Sequence, residues 1–197
     1  MKIRPVILCG GAGTRLWPKQ KNHQAKQFID FGGWSLIQKT LERIKKPFFD
    51  YPIISTNLKY LKDVRKSLKK NKVKKYKIVL EPAKKNTAPA ILSSALIKDI
   101  PLKQPLMYFA ADHLIEKSHI LNRAIKKNKT NLDNQNIFIF GIKPTNPSSE
   151  YGYFLTKKIK KNINKVTKFI EKPNFNKAKL VIKNKGYWNS GMFYLRK

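Results

Sequence analysis

Apolar and polar positions follow two rhythms along this chain. Short unbroken apolar runs read as buried strands: Pro5 to Cys9 (PVILC), Pro52 to Thr56 (PIIST), Ile78 to Leu80, Leu106 to Ala110 (LMYFA) and Ile137 to Phe140 (IFIF). Between them apolar residues recur at helical spacing. Leu36, Ile37, Leu41 and Ile44 form one such set, and Tyr60, Leu61, Val64 and Leu68 a second. In a third, Ile91, Leu92, Ala95 and Leu96 are expected to face inward, with Asn86 or Thr87 as cap and Pro89 in the first turn. Ile120 to Ile125 reads as a further helix. A β-α-β-α alternation with fully apolar strands implies a parallel sheet covered on both faces. After Gly141 the character changes. Tyr153 to Thr156 and Val166 to Ile170 look like paired strands, Phe175 to Ile182 a short helix, and Met192 to Leu195 a final strand.

Composition narrows the class. The 197 residues are 41% hydrophobic and 11% aromatic, enough to pack one core and too apolar for a disordered chain. No run approaches the roughly 18 apolar residues of a membrane helix, and the N-terminus turns Gly-rich too soon for a signal peptide. Cys9 stands alone, which excludes an internal disulfide and a cysteine-based zinc site. A soluble, cytoplasmic globular protein is expected. The formal charge of +32 invites a nucleic-acid reading, but only six of the 43 basic residues are Arg and the lysines are spread over nearly every segment. Arginine forks and aromatic-basic interleaving are scarce, so nucleic acid is not an expected partner.

In a parallel sheet, ligands sit beyond the carboxyl ends of the strands. Gly10, Glu81 and Asp112 each follow a predicted strand directly, so three segments are expected at one crevice. The string Leu8-Cys9-Gly10-Gly11-Ala12-Gly13-Thr14-Arg15-Leu16-Trp17-Pro18 carries the strongest chemistry. Glycines after a strand let backbone N–H groups approach phosphate oxygens. No Gly-Lys-Ser/Thr closes the string as in a P-loop, and Leu16 stands where a dinucleotide fingerprint needs its third glycine. An arginine within it is a permanently charged fork suited to charge building on a transferring phosphoryl group.

This string resembles the signature of the sugar-nucleotide pyrophosphorylases, nucleotidyltransferases that join a nucleoside triphosphate to a sugar 1-phosphate. Its Leu-Cys-Gly-Gly opening and Leu-Trp-Pro close are closer to the branch acting on GTP and mannose 1-phosphate than to the thymidylyl, uridylyl or adenylyl branches. Lys26-Gln27-Phe28, Glu81-Pro82 with Asn86-Thr87-Ala88-Pro89-Ala90-Ile91, Ala111-Asp112-His113, Tyr151-Gly152-Tyr153, Phe169-Ile170-Glu171-Lys172-Pro173 and Trp188-Asn189-Ser190-Gly191-Met192-Phe193 follow in family order. The matches span Leu8 to Phe193. Ala25 replaces the family's proline before Lys-Gln-Phe, and Lys85 replaces its arginine before Asn-Thr-Ala. The family's second metal-binding aspartate lies beyond Lys197, so residues 1–197 read as one catalytic domain incomplete at its C-terminus.

The resemblance implies a Rossmann-like, GT-A-like α/β fold, a three-layer sandwich with a mostly parallel central sheet. It implies transfer of GMP from GTP to mannose 1-phosphate, giving GDP-mannose and pyrophosphate. Arg15 and Lys26 would be catalytic. Gly10, Gly11, Gly13 and Thr14 would hold the nucleotide phosphates, and Glu81, Asn86, Thr87 and Ala88 the guanine and ribose. Gly152, Glu171, Lys172 and Asn189 would bind the sugar phosphate, and Asp112 would bind Mg²⁺. Plainer readings stand beside these: Lys26 as one more surface lysine, Asn86 or Thr87 as a helix cap, Gly152 and Asn189 as turn residues, Cys9 as a small buried side chain and His113 as structural. GTP and mannose 1-phosphate are the implied partners, with no membrane; self-association into a homo-oligomer stays open. Alternatives at this level are another nucleoside triphosphate and hexose 1-phosphate pair, or an inactive basic fragment that binds polyanions.

Overall fold

The computed structural model describes residues 1–11, 25–83, 86–160 and 163–197. The chain divides into two compact units, one of residues 1–138 with 193–197 and one of residues 139–192.

In the first unit, β1 (Arg4–Leu8), β2 (Ile53–Thr56), β3 (Lys77–Leu80) and β4 (Pro105–Ala110) form a parallel sheet in the order β3-β2-β1-β4. The connecting helices are α1 (Leu36–Arg43), α2 (Leu61–Lys70) and α3 (Thr87–Ala95), and α4 (Ser118–Asn128) follows β4. The sheet alternates its faces. Val6, Ile53 and Tyr108 share one face through their register, and Ile7, Ile54 and Phe109 the other. Ile91 and Ala95 of α3 pack with Val6, Ile53, Leu106 and Tyr108 on the first face. On the second, Arg43 at the end of α1 lies over the Phe109 ring. That is the expected three-layer arrangement. The last residues of the chain add an antiparallel strand beside β4, with Tyr108 opposite Phe193 and Leu106 opposite Leu195.

Two expectations fail at α3. Leu92 and Leu96 are 58% and 67% exposed, not inward-facing. The buried stripe is instead Ala90 and Ser94, with Ile91 and Ala95 beside them. Ser94 is tolerated there because its hydroxyl bonds the Ala90 carbonyl (2.9 Å) and meets the Tyr108 hydroxyl (3.2 Å). Small residues let the helix lie close to the sheet and turn the leucines outward. Asn86 does take the N-cap position, but its side chain makes no capping bond and its φ is +65°.

In the second unit β6 (Tyr153–Lys160) and β7 (Ile163–Ile170) are antiparallel, as expected. Tyr153 and Phe154 also pair with Trp188 and Tyr187 of β8 (Tyr187–Arg196), and β5 (Phe138–Ile142) pairs with β8 as well. Helix α5 (Phe175–Lys183) buries Ala178 and Val181 against Tyr153, with Asn174 accepting a capping bond from the Lys177 N–H (2.9 Å). Strand β8 starts at Tyr187, ahead of the expected Met192. Asn189, for which a turn role is the plainer reading, lies within the strand with Ser190 and Gly191, and Gly191 takes a φ of +68°.

Candidate active site

Strand order places the first group of residues. The chain runs outward from β1 through β2 to β3, then returns to β4 on the other side of β1. Such a reversal opens a crevice at the carboxyl ends of the strands on either side of it. Past β1, the Cys9 N–H donates to Ser55 O (2.7 Å), while Ala111 N–H past β4 donates to Leu8 O (3.0 Å). Glu81 leaves β3 with its N–H on Thr56 O (2.7 Å). Its carboxylate comes back over the end of β1. A Cβ on Gly10 would stand 3.1 Å from Glu81 Oε2, so the missing side chain makes room for the carboxylate. Ser55 Oγ donates to Glu81 Oε1 at 2.6 Å and fixes it there.

The second pair is Lys26 and Asp112, with Nζ 3.6 Å from Oδ2 and both side chains partly exposed. Lys26 belongs to a single 3₁₀ turn, Lys26–Phe28, that is anchored on both sides. Phe28 packs on Tyr60, and Gln27 reaches the Gly11 carbonyl. Ala25, where the family has proline, has φ −67° and ψ 143°. Proline would be held near that φ, so the substitution leaves the turn's entry unchanged.

Cys9 lies between the two pairs electrostatically. Burial pushes its thiol up to about 12; the Gln27 bond opposes that rise, and the nearby Asp112 and Glu81 charges add to it. The thiol therefore stays protonated and is no nucleophile, as expected. His113 is structural in its backbone: its carbonyl accepts from Arg43 Nη2 at 3.0 Å. Burial holds its imidazole below its ordinary value, with the Asp112 charge opposing. Asn86, Thr87 and Ala88 are exposed at the start of α3, where helix N–H groups favour an anion. Gly11 is exposed, and among the described residues a Cβ added there would have nothing within 4 Å. Gly13, Thr14 and Arg15 lie outside the described residues.

In the second unit, Gly152, Glu171 and Asn189 come together. Asn189 N–H donates to Gly152 O (2.7 Å). A Cβ on Gly152 would stand 2.7 Å from Glu171 Oε2 and 2.9 Å from Phe169 Cζ. Lys172 follows Glu171, exposed and with φ +40°. Asn189 Oδ1 accepts from the Gly191 N–H (3.2 Å), so the residue also shapes its own strand. Gln27 and Ser55 were legible only as motif and strand residues; their partners are set by the fold.

Among the described residues no three His, Cys, Asp or Glu side chains cluster as a metal cage. Mg²⁺ seldom needs one, because it keeps waters and binds through one or two carboxylates plus substrate phosphates. Asp112, partly exposed at a strand end, fits that donor set.

A family model described as nucleotidyl transferase matches residues 4–197, and the chain belongs to that family. It is 37% identical over 199 residues to mannose-1-phosphate guanylyltransferase of Escherichia coli, covering 96% of this chain and 43% of that one. It is similar to a crystal structure of mannose-1-phosphate geranyltransferase from Thermus thermophilus (25% identity, TM-score 0.85, 100% of this chain and 58% of that one). It is also similar to mannose-6-phosphate isomerase from Helicobacter pylori (31% identity, TM-score 0.79, 100% of this chain and 71% of that one). The chain spans about two-fifths of the length of the curated relatives it matches. Among the described residues no helix is long and apolar enough to cross a membrane.

Proposed function

We propose that the chain transfers GMP from GTP to mannose 1-phosphate, releasing pyrophosphate and forming GDP-mannose. The observation that carries this reading is the pairing of Glu81 with Gly10 at the strand ends, beside which Lys26 meets Asp112. A carboxylate accepts from both N1–H and the N2 amino group of guanine, a donor pair adenine lacks. The glycines after β1 would receive the phosphates, with Asn86, Thr87 and Ala88 on the ribose side. Lys26 and Arg15 would neutralise charge on the reacting phosphate. Gly152, Glu171, Lys172 and Asn189 are assigned to the sugar phosphate. Mg²⁺, held by Asp112 with phosphate and water oxygens, would supply charge neutralisation.

The sugar phosphate oxygen is already an anion near neutral pH, so no general base is required. It forms a bond to the α-phosphorus of GTP as the bond to the bridging α,β-oxygen breaks. The electron pair leaves with pyrophosphate. Positioning and electrostatics then carry the rate, and the reading places the chain in the cytoplasm, with its nucleotide supply. Arg15→Ala is expected to lower turnover roughly a hundredfold if the fork acts in the transition state; an unchanged kcat removes that role.

Equilibrium binding of GTP, ATP, UTP and dTTP with Mg²⁺ tests the nucleotide assignment. Saturable binding that prefers GTP, with the preference lost in Glu81→Ala, supports it. A preference for another base would shift the reading to a different nucleotide and sugar pair.

A further inference from the structure

We infer that Gln27 is the positioning residue of the loop after β1: its side-chain amide holds Gly10 and Gly11 in the shape that receives a polyphosphate. The inference rests on the reading of that loop as the phosphate site.

Among the described residues, the last backbone–backbone hydrogen bond on this segment is the one from Cys9 N–H to Ser55 O. Beyond it, side chains take over. Gln27 Nε2 donates to Gly11 O at 3.1 Å and lies 3.5 Å from Cys9 O and 3.7 Å from Cys9 Sγ. Thr56 Oγ1 also donates to Cys9 O, at 3.1 Å. The peptide group is planar and trans, so drawing the Cys9 carbonyl toward Gln27 and Thr56 turns the Gly10 N–H the opposite way. Carbonyls held against the protein leave an N–H of the loop to face an anion. That is the polarity a phosphate cradle needs.

Packing alone does not explain the residue. Gln27 is only 3% exposed, a place that Leu or Met would fill at lower desolvation cost. Its amide offers two hydrogens in a place with carbonyls to satisfy. It also sits next to Lys26 in the same 3₁₀ turn, so one short element fixes both the loop and the cation paired with Asp112.

The test compares GTP with guanosine, which lacks the phosphates, on the wild type, Gln27→Met and Gln27→Glu. Met removes the donor at similar volume. Glu replaces it with an acceptor, and regains one donor when the buried carboxyl is protonated. At about pH 8 both variants are expected to bind GTP about tenfold more weakly, with guanosine unchanged. At about pH 5 the Glu variant recovers GTP binding relative to wild type and the Met variant does not. Equal weakening for GTP and guanosine, unchanged GTP binding, or no recovery in the Glu variant overturns the proposal. Wild-type affinity no higher for GTP than for guanosine overturns the phosphate-site reading itself, and the proposal with it. Should the Gln27 variants fold poorly, Thr56→Val removes the other tie on the Cys9 carbonyl. GTP binding weakened a few-fold with guanosine unchanged then supports the proposal, and equal loss of both contradicts it.

Discussion

Gly152 and Gly11 differ in what a methyl group would meet. At Gly152 a Cβ would fall 2.7 Å from the Glu171 carboxylate and 2.9 Å from the Phe169 ring. Gly152→Ala is therefore expected to cost about 1–3 kcal/mol in urea denaturation, because two neighbours must move. Among the described residues a Cβ on Gly11 meets nothing within 4 Å, so in the same denaturation Gly11→Ala is expected to leave stability unchanged or raise it by up to about 1 kcal/mol, by restricting the unfolded chain. His113 gives a pH signature. Its folded-state pKa lies below the ordinary 6.5, so as pH falls the unfolded chain takes the proton first and stability drops. Thermal melts between about pH 7 and 5 should show this loss, and His113→Gln should reduce the slope. At this scale the sequence showed where Gly10, Glu81 and Asp112 sit, since each follows a strand. It did not show that Ser55 would orient Glu81 or that Gln27 would reach Gly11. Those partners lie 26 and 16 residues apart along the chain and meet only through the tertiary fold, Ser55 and Glu81 because β2 and β3 are neighbours.

The 3₁₀ turn, α3 and β8 show where element-level reading holds and where it fails. The turn tolerates Ala25 because its backbone already has a proline-like φ of −67°. Ala25→Pro is expected to raise stability by about 0.4–1 kcal/mol by restricting the unfolded chain; a loss on chemical denaturation would show that the Ala25 N–H or its neighbour is engaged. Helix α3 defeated the hydrophobic pattern because large apolar residues are assumed to face inward. Here a serine bonded to its own helix and to Tyr108 takes the inner face. Leu96→Ser should then change stability by no more than about 0.5 kcal/mol, whereas Ile91→Ala, next to the core, should cost more than that. The apolar run predicts only the end of strand β8, from Met192, because Asn189, Ser190 and Gly191 interrupt the apolar pattern ahead of it. The pairing of Tyr187 and Trp188 with β6, and of Phe193 to Arg196 with β4, makes them strand residues.

Charge and chemistry pull apart only for the whole molecule. A formal charge of +32 attracts any nucleotide, and that attraction fades over about 10 Å at 0.1 M salt. Affinity for GTP should fall with salt, while the ratio of GTP to ATP affinity stays constant, because the proposed base selection would rest on close contact with Glu81. A ratio that collapses toward one with salt would mark a polyanion binder. The most direct measurement is product formation. The chain is incubated with mannose 1-phosphate, Mg²⁺ and each of GTP, ATP, UTP and dTTP, and sugar nucleotide and pyrophosphate are quantified together. The expected result is GDP-mannose with an equal amount of pyrophosphate, fastest from GTP and nearly abolished by Lys26→Ala. No sugar nucleotide from any triphosphate, or a faster reaction with another base, would contradict it.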